Sequence, residues 1–448
     1  MNDYADYLNQ PTNNDLGHIA GNDGMPLLGR AIAFGMDPHK VCEQHYRQYG
    51  PVSRMKMGPE RVLLALGPDN AQALHLDPDK NFSSEKGLER FKHLIGGSLI
   101  MKDFDEHRFQ RRLMQTAFKT AAMRKYSVGI NEVCARNITA MAAGEQFKFA
   151  PRVKQTLLEI AAQTFTGVSG QGGDGDKLTS AFQRFVEAFD YLFPVYMPGF
   201  KYFKGLRAKR DIDIFIKRLI DVKRQNDDDD ILAHFCRETD ENGNPFSDQD
   251  ISENFVLLLF AAQDTTTASL VNAFYELGRH PEWQQRIREE SLAIGKENLD
   301  FDDLEKMPSA GLVFNEAQRL HASVPLFPRR SIRPCELSGV EVPPNTMIMN
   351  AITYNHRMPE WWTNPLLFDP ERFERGEHKQ HPFLFHPFGG GAHKCIGMHF
   401  AQFVFKTFIH HTLSQYRIEM PAGYTADYQY MPMSAPKDGL PLRLIKVS

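Results

Sequence analysis

Near the C-terminal end of the chain a single cysteine stands among glycines, in the run Phe388-Gly389-Gly390-Gly391-Ala392-His393-Lys394-Cys395-Ile396-Gly397. Glycine tolerates the backbone angles of a tight turn and lets main chain approach a flat object closely. The apolar run from Met398 can then carry a helix away from the turn. A thiol presented this way is either aimed at a metal or is a small buried hydrophobe at a helix entry, a common use of free cysteine. No second cysteine is near enough for a C-x-x-C pair, which disfavours zinc; a lone thiolate fits an axial haem ligand better. A second chemical pair is Asp264-Thr265, just past the apolar residues Phe255, Leu257, Leu258, Leu259 and Phe260. A carboxylate in the middle of such a helix is costly unless paired or used. An acid beside an alcohol suits proton delivery, with Thr265 hydrogen-bonding dioxygen held at a metal and Asp264 relaying protons from water for O–O cleavage. His107 and Arg111, four residues apart on one helical face, fit an anionic partner or form a solvated basic stripe.

The spacing of Phe388, Gly391, Cys395 and Gly397 resembles the F-x-x-G-x-x-x-C-x-G haem loop of the cytochrome P450 family. Three further motifs follow the order of that family. Residues 261–265 are similar to its [AG]-G-x-[DE]-T pattern, with Ala262 in place of the usual glycine, which leaves less room for dioxygen beside the helix. Glu316 and Arg319 stand as its E-x-x-R pair, and Pro370-Glu371-Arg372-Phe373 stands where it brings a second arginine. The resemblance spans nearly the whole chain. It implies a mainly α fold with a minor β-sheet region, the cytochrome P450 fold, as a single domain over 1–448. It implies haem b (iron protoporphyrin IX) bound through Cys395, with Ala261, Phe388 and Gly397 against it and His107, Arg111, Arg329 and His393 holding its propionates; Arg330 is the alternative to Arg329 by a one-residue shift. Glu316, Arg319 and Arg372 are expected to form a buried network that fixes the cysteine loop, a scaffold rather than part of the chemistry.

The implied reaction is monooxygenation, insertion of one oxygen atom into an unactivated C–H bond of a hydrophobic molecule. A peroxide-dependent peroxygenase is a rival, although such family members usually lack the acid–alcohol pair; a haem-binding protein without turnover is another. No flavin or iron–sulfur segment accompanies the chain, so electrons are expected from a separate ferredoxin with its ferredoxin reductase. These would dock where Arg108, Arg112, Lys119 and Lys394 offer positive charge, unless those residues are merely solvated surface.

Local signals place these residues on elements. Helices are predicted over 38–49, 70–76, 106–118, 123–141, 151–165, 247–277 and 312–320, and strands over 52–57, 62–66, 337–342 and 347–351. Between 82 and 104 the pattern loses its period, and Gly87, Gly96 and Gly97 interrupt apolar residues, which predicts a loop lining a pocket. Residues 167–175 are too glycine-rich for a helix and lack the context of a phosphate loop, so they read as a connection. The stretch 181–203, with Phe182, Phe185, Phe189, Tyr191, Phe193, Phe200, Tyr202 and Phe203 around Pro194 and Pro198, is expected to be a mobile lid whose basic flank touches a membrane surface, or else an ordinary core-facing helix pair. Asp227 to Asp230 are expected to cap the next helix. The expected substrate pocket takes Phe91, Leu94 and Ile100 from the irregular stretch, Phe189 from the lid, Leu257 and Ala262 from the long helix, Leu326 from the extended segment after 320, and Met433 from a final turn.

Composition sets the class. The 448 residues are 42% hydrophobic and 24% charged, as in soluble globular proteins, and 33 Phe with 18 Met suggest an apolar, adaptable interior. A net charge of −4 offers no bulk attraction to nucleic acid. Five scattered cysteines, at 42, 134, 236, 335 and 395, read as reduced thiols of a cytoplasmic protein. The first two dozen residues have no signal-peptide core, and no apolar span reaches membrane-crossing length, which makes the chain look like a soluble, bacterial-type member. The resemblance is nearest to the branch that includes sterol demethylases and retinoid or terpenoid hydroxylases. The sterol enzymes carry His where this chain has Asp264, so sterol demethylation is not assigned; an isoprenoid, steroid or fatty-acyl substrate is expected.

Overall fold

The computed structural model describes residues 9–167, 174–189, 197–240 and 243–447. Most of the glycine-rich connection, and Tyr191, Phe193 and Pro194 of the expected lid, lie outside the described residues. The longer helices are α1 (Pro38–Tyr49), α2 (Pro68–Leu76), α3 (Phe104–Met114), α4 (Thr120–Ala142), α5 (Phe149–Thr166), α6 (Asp174–Val186), α7 (Lys201–Lys223), α8 (Ile231–Arg237), α9 (Asp248–Arg279), α10 (Pro281–Ala293), α11 (Pro308–Leu320) and α12 (Met398–Leu413). Their starts follow from local chemistry. Pro opens α1, α2, α10 and α11, where its missing N–H is not needed. Side chains of Asp37, Asp230 and Ser247 accept the N–H groups of Lys40, Ala233 and Asp250 at the starts of α1, α8 and α9. The acidic run at 227–230 therefore caps α8 through Asp230, which also pairs with Lys223.

Five strands form the main sheet: β1 (Val52–Met57), β2 (Glu60–Ala65), β3 (Phe82–Ser83), β4 (Phe327–Ser331) and β5 (Met347–Asn350), in the order β1-β2-β5-β4-β3. The β1–β2 hairpin turns at Gly58, whose φ is +65°. β2 runs parallel to β5 with Val62 opposite Met347, and its Leu63, Leu64 and Ala65 are wholly buried because both faces are covered. A second small sheet joins Phe147–Lys148, Pro441–Lys446 and Tyr416–Glu419. The predicted 337–342 strand is instead a hairpin, Cys335–Leu337 with Val340–Val342, turning at Ser338 and Gly339, which both take positive φ.

The helical core is built on α9, whose 32 residues span about 48 Å at the usual rise. It packs against α5, α7 and α11 and is buried over most of its length. The 82–104 stretch, expected as a loop, is a chain of single helical turns: Ser84–Gly87, Glu89–Phe91, Lys92–Ile95 and Leu99–Met101. Its glycines serve close approach. A Cβ on Gly87 would lie 2.8 Å from the carbonyl oxygen of Pro328, and one on Gly97 would lie 2.7 Å from Cγ of Glu253. Leu99 N–H donates to Asn254 Oδ1 at 2.7 Å, which ties this stretch to α9.

The described part of the expected lid is a packed helix pair. Phe182, Phe185 and Tyr202 are buried and recur at helical spacing, so α6 and α7 turn them into the core, while Met197 and Phe200 stay exposed. At the centre of the bundle Phe149 of α5 stacks on Phe274 of α9 at 4.1 Å and meets Phe408 of α12 edge-on at 5.9 Å. Phe149→Ala is expected to cost about 3–5 kcal/mol of stability, seen as a lowered thermal unfolding midpoint; an unchanged midpoint would show that α5 does not depend on this contact.

Candidate active site

The loop before α12 is shaped by backbone rather than side chains. Gly389 and Gly391 have φ of +66° and +59°, the left-handed region that glycine enters without penalty. A Cβ on Gly391 would fall 1.9 Å from the carbonyl oxygen of His75, at the end of α2, so the loop lies directly on that turn. Gly390 is extended and is glycine for space, since a Cβ would meet the ring of Phe383 at 2.4 Å. Gly397 shows neither constraint: its φ is −89° and the nearest protein atom to a Cβ is 4.0 Å away. The unusual angles expected of all these glycines thus occur at two of them. Cys395 N–H donates to the carbonyl of Phe388 at 2.9 Å and closes the loop, while the Phe388 ring stacks on Phe314 of α11 at 5.8 Å.

Cys395 is exposed, whereas Cys42 and Cys134 are buried with their thiols pushed up by burial. Crowding also raises the Cys395 thiol pKa. The N–H of Gly397 donating toward its sulfur, and the charges of Arg111 and Lys394, pull the other way and favour thiolate.

Beside the loop four basic groups converge from three elements: His107 and Arg111 on α3, Arg329 on β4 and His393 on the loop. The His107 and His393 rings are 3.9 Å apart. Burial, then neighbouring positive charge, holds His107 down at about 4 and His393 at about 2. Burial alone lowers Arg329 to about 10 against the pull of Asp103 and Asp77, and burial lowers Arg111 as well. Asp77 and Asp103 are engaged elsewhere, on the N–H groups of Asn81, Phe82 and Ser84 and the hydroxyl of Ser83. Among the described residues no salt bridge joins any of the four to a carboxylate. Among the described residues Arg329 gives hydrogen bonds to Ser84 Oγ and the Pro328 carbonyl alone. Of the two neighbouring arginines, Arg330 pairs with Glu89 at 3.2 Å, whereas Arg329 has no salt bridge among the described residues. Two guanidinium groups without a carboxylate partner, flanked by two neutral imidazoles that can donate hydrogen bonds, fit a group that brings two carboxylates, as haem does with its propionates.

On α9 the stretch 260–265 breaks the burial of its helix: Ala261 is exposed, and Phe260, Ala262, Asp264 and Thr265 are half-buried, between runs that are almost wholly enclosed. Thr265 Oγ1 donates to the carbonyl of Ala261 at 2.6 Å, which leaves its lone pairs free to accept. Asp264 is paired with Lys154 of α5 at 2.8 Å. That partner, 110 positions away, had no local signal.

The apolar residues expected in a pocket divide. Phe189 stacks on Phe260 at 4.0 Å, with Phe91 at 5.6 Å and Phe185 at 5.3 Å from Phe189, so an aromatic wall gathers one residue before Ala261. Phe260 was missed by pattern reading, though its place beside the 261–265 motif is a usable signal. Ile100 and Ala262 are half-buried against the same core. Met433 is half-buried in a turn held to α9 by Asn272 donating to the Ser434 carbonyl at 2.9 Å. Leu94 is fully enclosed by protein atoms, and half-buried Leu326 packs against the separate core that holds Met55, Val62 and Leu64. Leu257 is 7% exposed and belongs mainly to the helical core.

The loop is locked from behind. Arg319 grips Glu316 with two hydrogen bonds of 2.8 Å, and Arg372 adds a third at 3.0 Å; all three side chains are wholly buried. Both guanidinium groups also donate to main-chain carbonyls, Arg319 to His356, Pro365 and Leu367, and Arg372 to Thr363 and Leu367. The meander leading toward Cys395 is thereby fastened to α11.

The family model described as Cytochrome P450 matches residues 19–437. The chain is 36% identical over 445 residues to cytochrome P450 136 of Mycobacterium tuberculosis, covering 97% of this chain and 90% of that protein. It is 27% identical to cyclooctatin synthase of Streptomyces melanosporofaciens, covering 87% of each. With taxane 10-beta-hydroxylase of Taxus cuspidata it shares 26% identity over 90% of this chain and 84% of that one. The solved structure of retinoic acid bound cyanobacterial CYP120A1 superposes with a TM-score of 0.86 at 24% identity, over 96% of this chain and 99% of the other, a likeness of fold.

Two substitutions probe the loop and its lock. Glu316→Gln leaves the buried Arg319 guanidinium without a counter-charge and Arg372 with Glu377 and the more distant Asp369, and is expected to cost about 3–5 kcal/mol, measured as a fall in the denaturant midpoint; a loss below about 1 kcal/mol, the scale of a surface pair, would contradict the lock. Gly391→Ala forces a clash with the His75 carbonyl and is expected to reduce haem bound per chain, read from Soret absorbance, while far-ultraviolet circular dichroism stays helical. Full haem loading would show that the loop can leave α2.

Proposed function

Because the chain belongs to the cytochrome P450 family, whose members are haem monooxygenases, we propose that it hydroxylates a hydrophobic molecule of isoprenoid type with electrons delivered by a separate ferredoxin. The aromatic wall of Phe91, Phe185, Phe189 and Phe260 beside the open stretch of α9 carries the substrate reading. A steroid or fatty-acyl molecule would meet the same wall. Relatives named taxane 10-beta-hydroxylase and abscisic acid 8'-hydroxylase 2 support the isoprenoid choice.

In this reading Cys395 is the thiolate ligand, and His107, Arg111, Arg329 and His393 hold the propionates. Haem bound through a thiolate supplies oxygen activation, the thiolate favouring O–O cleavage. The rest falls to the chain's own side chains. Phe189 and Phe260 exclude water from the face of α9 where substrate would lie. Thr265, with its hydrogen donated to Ala261, accepts a hydrogen bond through Oγ1 and can return a proton by rotating. Asp264 reaches the surface through its ion pair with the half-exposed Lys154, which gives solvent protons a path to the neighbouring hydroxyl.

Electrons would enter from the other side of the loop. A groove of about 520 Å³ lies between the end of α2, α3 and Gly391-Ala392, and Lys80, Arg108, Arg111 and Arg112 line it. With Lys119 and Lys394 exposed nearby, this face suits an acidic ferredoxin supplied by its reductase. No helix among the described residues is long and apolar enough to cross a membrane.

Thr265→Ala is expected to leave substrate binding nearly intact and to uncouple oxygen consumption from product, with product per NADPH falling several-fold in a ferredoxin-driven assay. Unchanged coupling would sink the relay. A Soret titration against terpenoids, steroids and fatty acids tests the substrate class, and tighter binding of fatty acids than of terpenoids would overturn the isoprenoid choice.

A further inference from the structure

A second groove, of about 480 Å³, lies away from the α9 face, between the turn at Phe301–Lys306, α11 and α12. Its floor is aromatic: Phe314 and Phe405 meet edge-on at 4.8 Å, and Phe301 lies beside them. Asn315, His399 and Gln402 line the rest of the groove, and Lys406 projects into it. Its Nζ donates to the Leu304 carbonyl at 2.7 Å, and among the described residues no carboxylate pairs with it. Burial holds the ammonium below the ordinary lysine range, against the opposing pull of Glu290 and Glu305. Neither acid serves as its partner. Glu290 is occupied by the N–H and hydroxyl of Ser309, while Glu305 stands exposed at the rim; Asp302, also at the rim, is gripped by Arg124 through two bonds of 3.1 Å.

We propose that this groove binds a small hydrophobic monocarboxylate, an aryl or short acyl acid whose apolar body lies on the phenylalanine floor and whose carboxylate pairs with Lys406. A half-buried ammonium with one acceptor for three protons is an incomplete site, and a charge-assisted bond to a carboxylate completes it. Glu305 at the rim repels a second negative charge, which selects monoanions over diacids and phosphates. The site has its own route to the cysteine loop: Phe314 also stacks on Phe388, whose carbonyl accepts the Cys395 N–H.

The test uses the haem-loaded protein saturated with a phenylimidazole, so that the space beside α9 is blocked. Calorimetric titration with 2-naphthaleneacetate is expected to show one site per chain, with the neutral 2-naphthaleneacetamide roughly tenfold weaker. Lys406→Met is expected to weaken the acid by about the same factor and to leave the amide unchanged. Gly311→Leu, built from a Cβ position 3.5 Å from Lys406 Nζ, fills the groove without removing the ammonium and abolishes binding of both. The proposal is overturned if the azole-saturated protein does not bind the acid, if the amide binds as tightly, or if either variant binds the acid undiminished. Should Lys406→Met not fold, the acid–amide comparison and Gly311→Leu decide alone.

Discussion

The structure depends on a single carboxylate that never meets water. Glu316 sits between the guanidinium groups of Arg319 and Arg372 with every side chain at zero exposure; Arg319 also donates to carbonyls of the 356–367 meander, and Arg372 to carbonyls of the same meander and to Glu377. Such a cluster adds little net stability, because desolvating three charges offsets most of their attraction. Its worth is geometric. Removing Glu316 strands the Arg319 charge, and removing either arginine frees the carbonyls it holds, so the meander has one acceptable position relative to α11, and the loop that continues from it to Cys395 inherits that position.

A second imbalance depends on the first. With the loop fixed, the neutral rings of His393 and His107 are pressed together near Arg111 and Arg329, and the two guanidinium groups hold positive charge that no carboxylate salt bridge among the described residues neutralises. The same field lowers the cost of a thiolate at Cys395, since Arg111 acts on both. Anion binding and ligand ionisation are therefore one electrostatic design: the charges that would hold a propionate also stabilise the sulfur that would hold iron.

Those features were legible to the degree that they are local. The cysteine loop, the E-x-x-R pair and the acid–alcohol pair are short patterns whose spacing survives without knowledge of tertiary contacts, and the helices over 38–49 and around 247–277 announce themselves by proline, serine caps and period. What pattern could not supply was packing across long separations. Nothing near Asp264 points to Lys154, and nothing in the 181–203 aromatics distinguishes a lid from a core until α6 and α7 are seen to turn Phe182, Phe185 and Tyr202 inward. Nor could pattern tell that Leu94 is wholly enclosed while Leu326 keeps part of its surface open, since an apolar residue in an irregular stretch packs wherever tertiary structure leaves room. Gly390 and Gly391 were recognised as necessary, but the reasons, a ring of Phe383 and a carbonyl of His75, lie elsewhere in the chain.

Two helix-borne carboxylates show how exposure separates scaffold from chemistry. Glu316 and Asp264 are both ion-paired inside a helical bundle, and sequence alone gives them equal standing as costly acids. Glu316 is wholly buried and held by three charge-assisted bonds, so it cannot exchange a proton without collapse of its network. Asp264 keeps 18% of its side chain exposed and has one partner, Lys154, itself 40% exposed. A pair so placed is worth little to stability and opens at small cost. In the proposed relay that weakness would serve a proton donor: a carboxylate near solvent, restrained enough to stay beside Thr265 and free enough to let go.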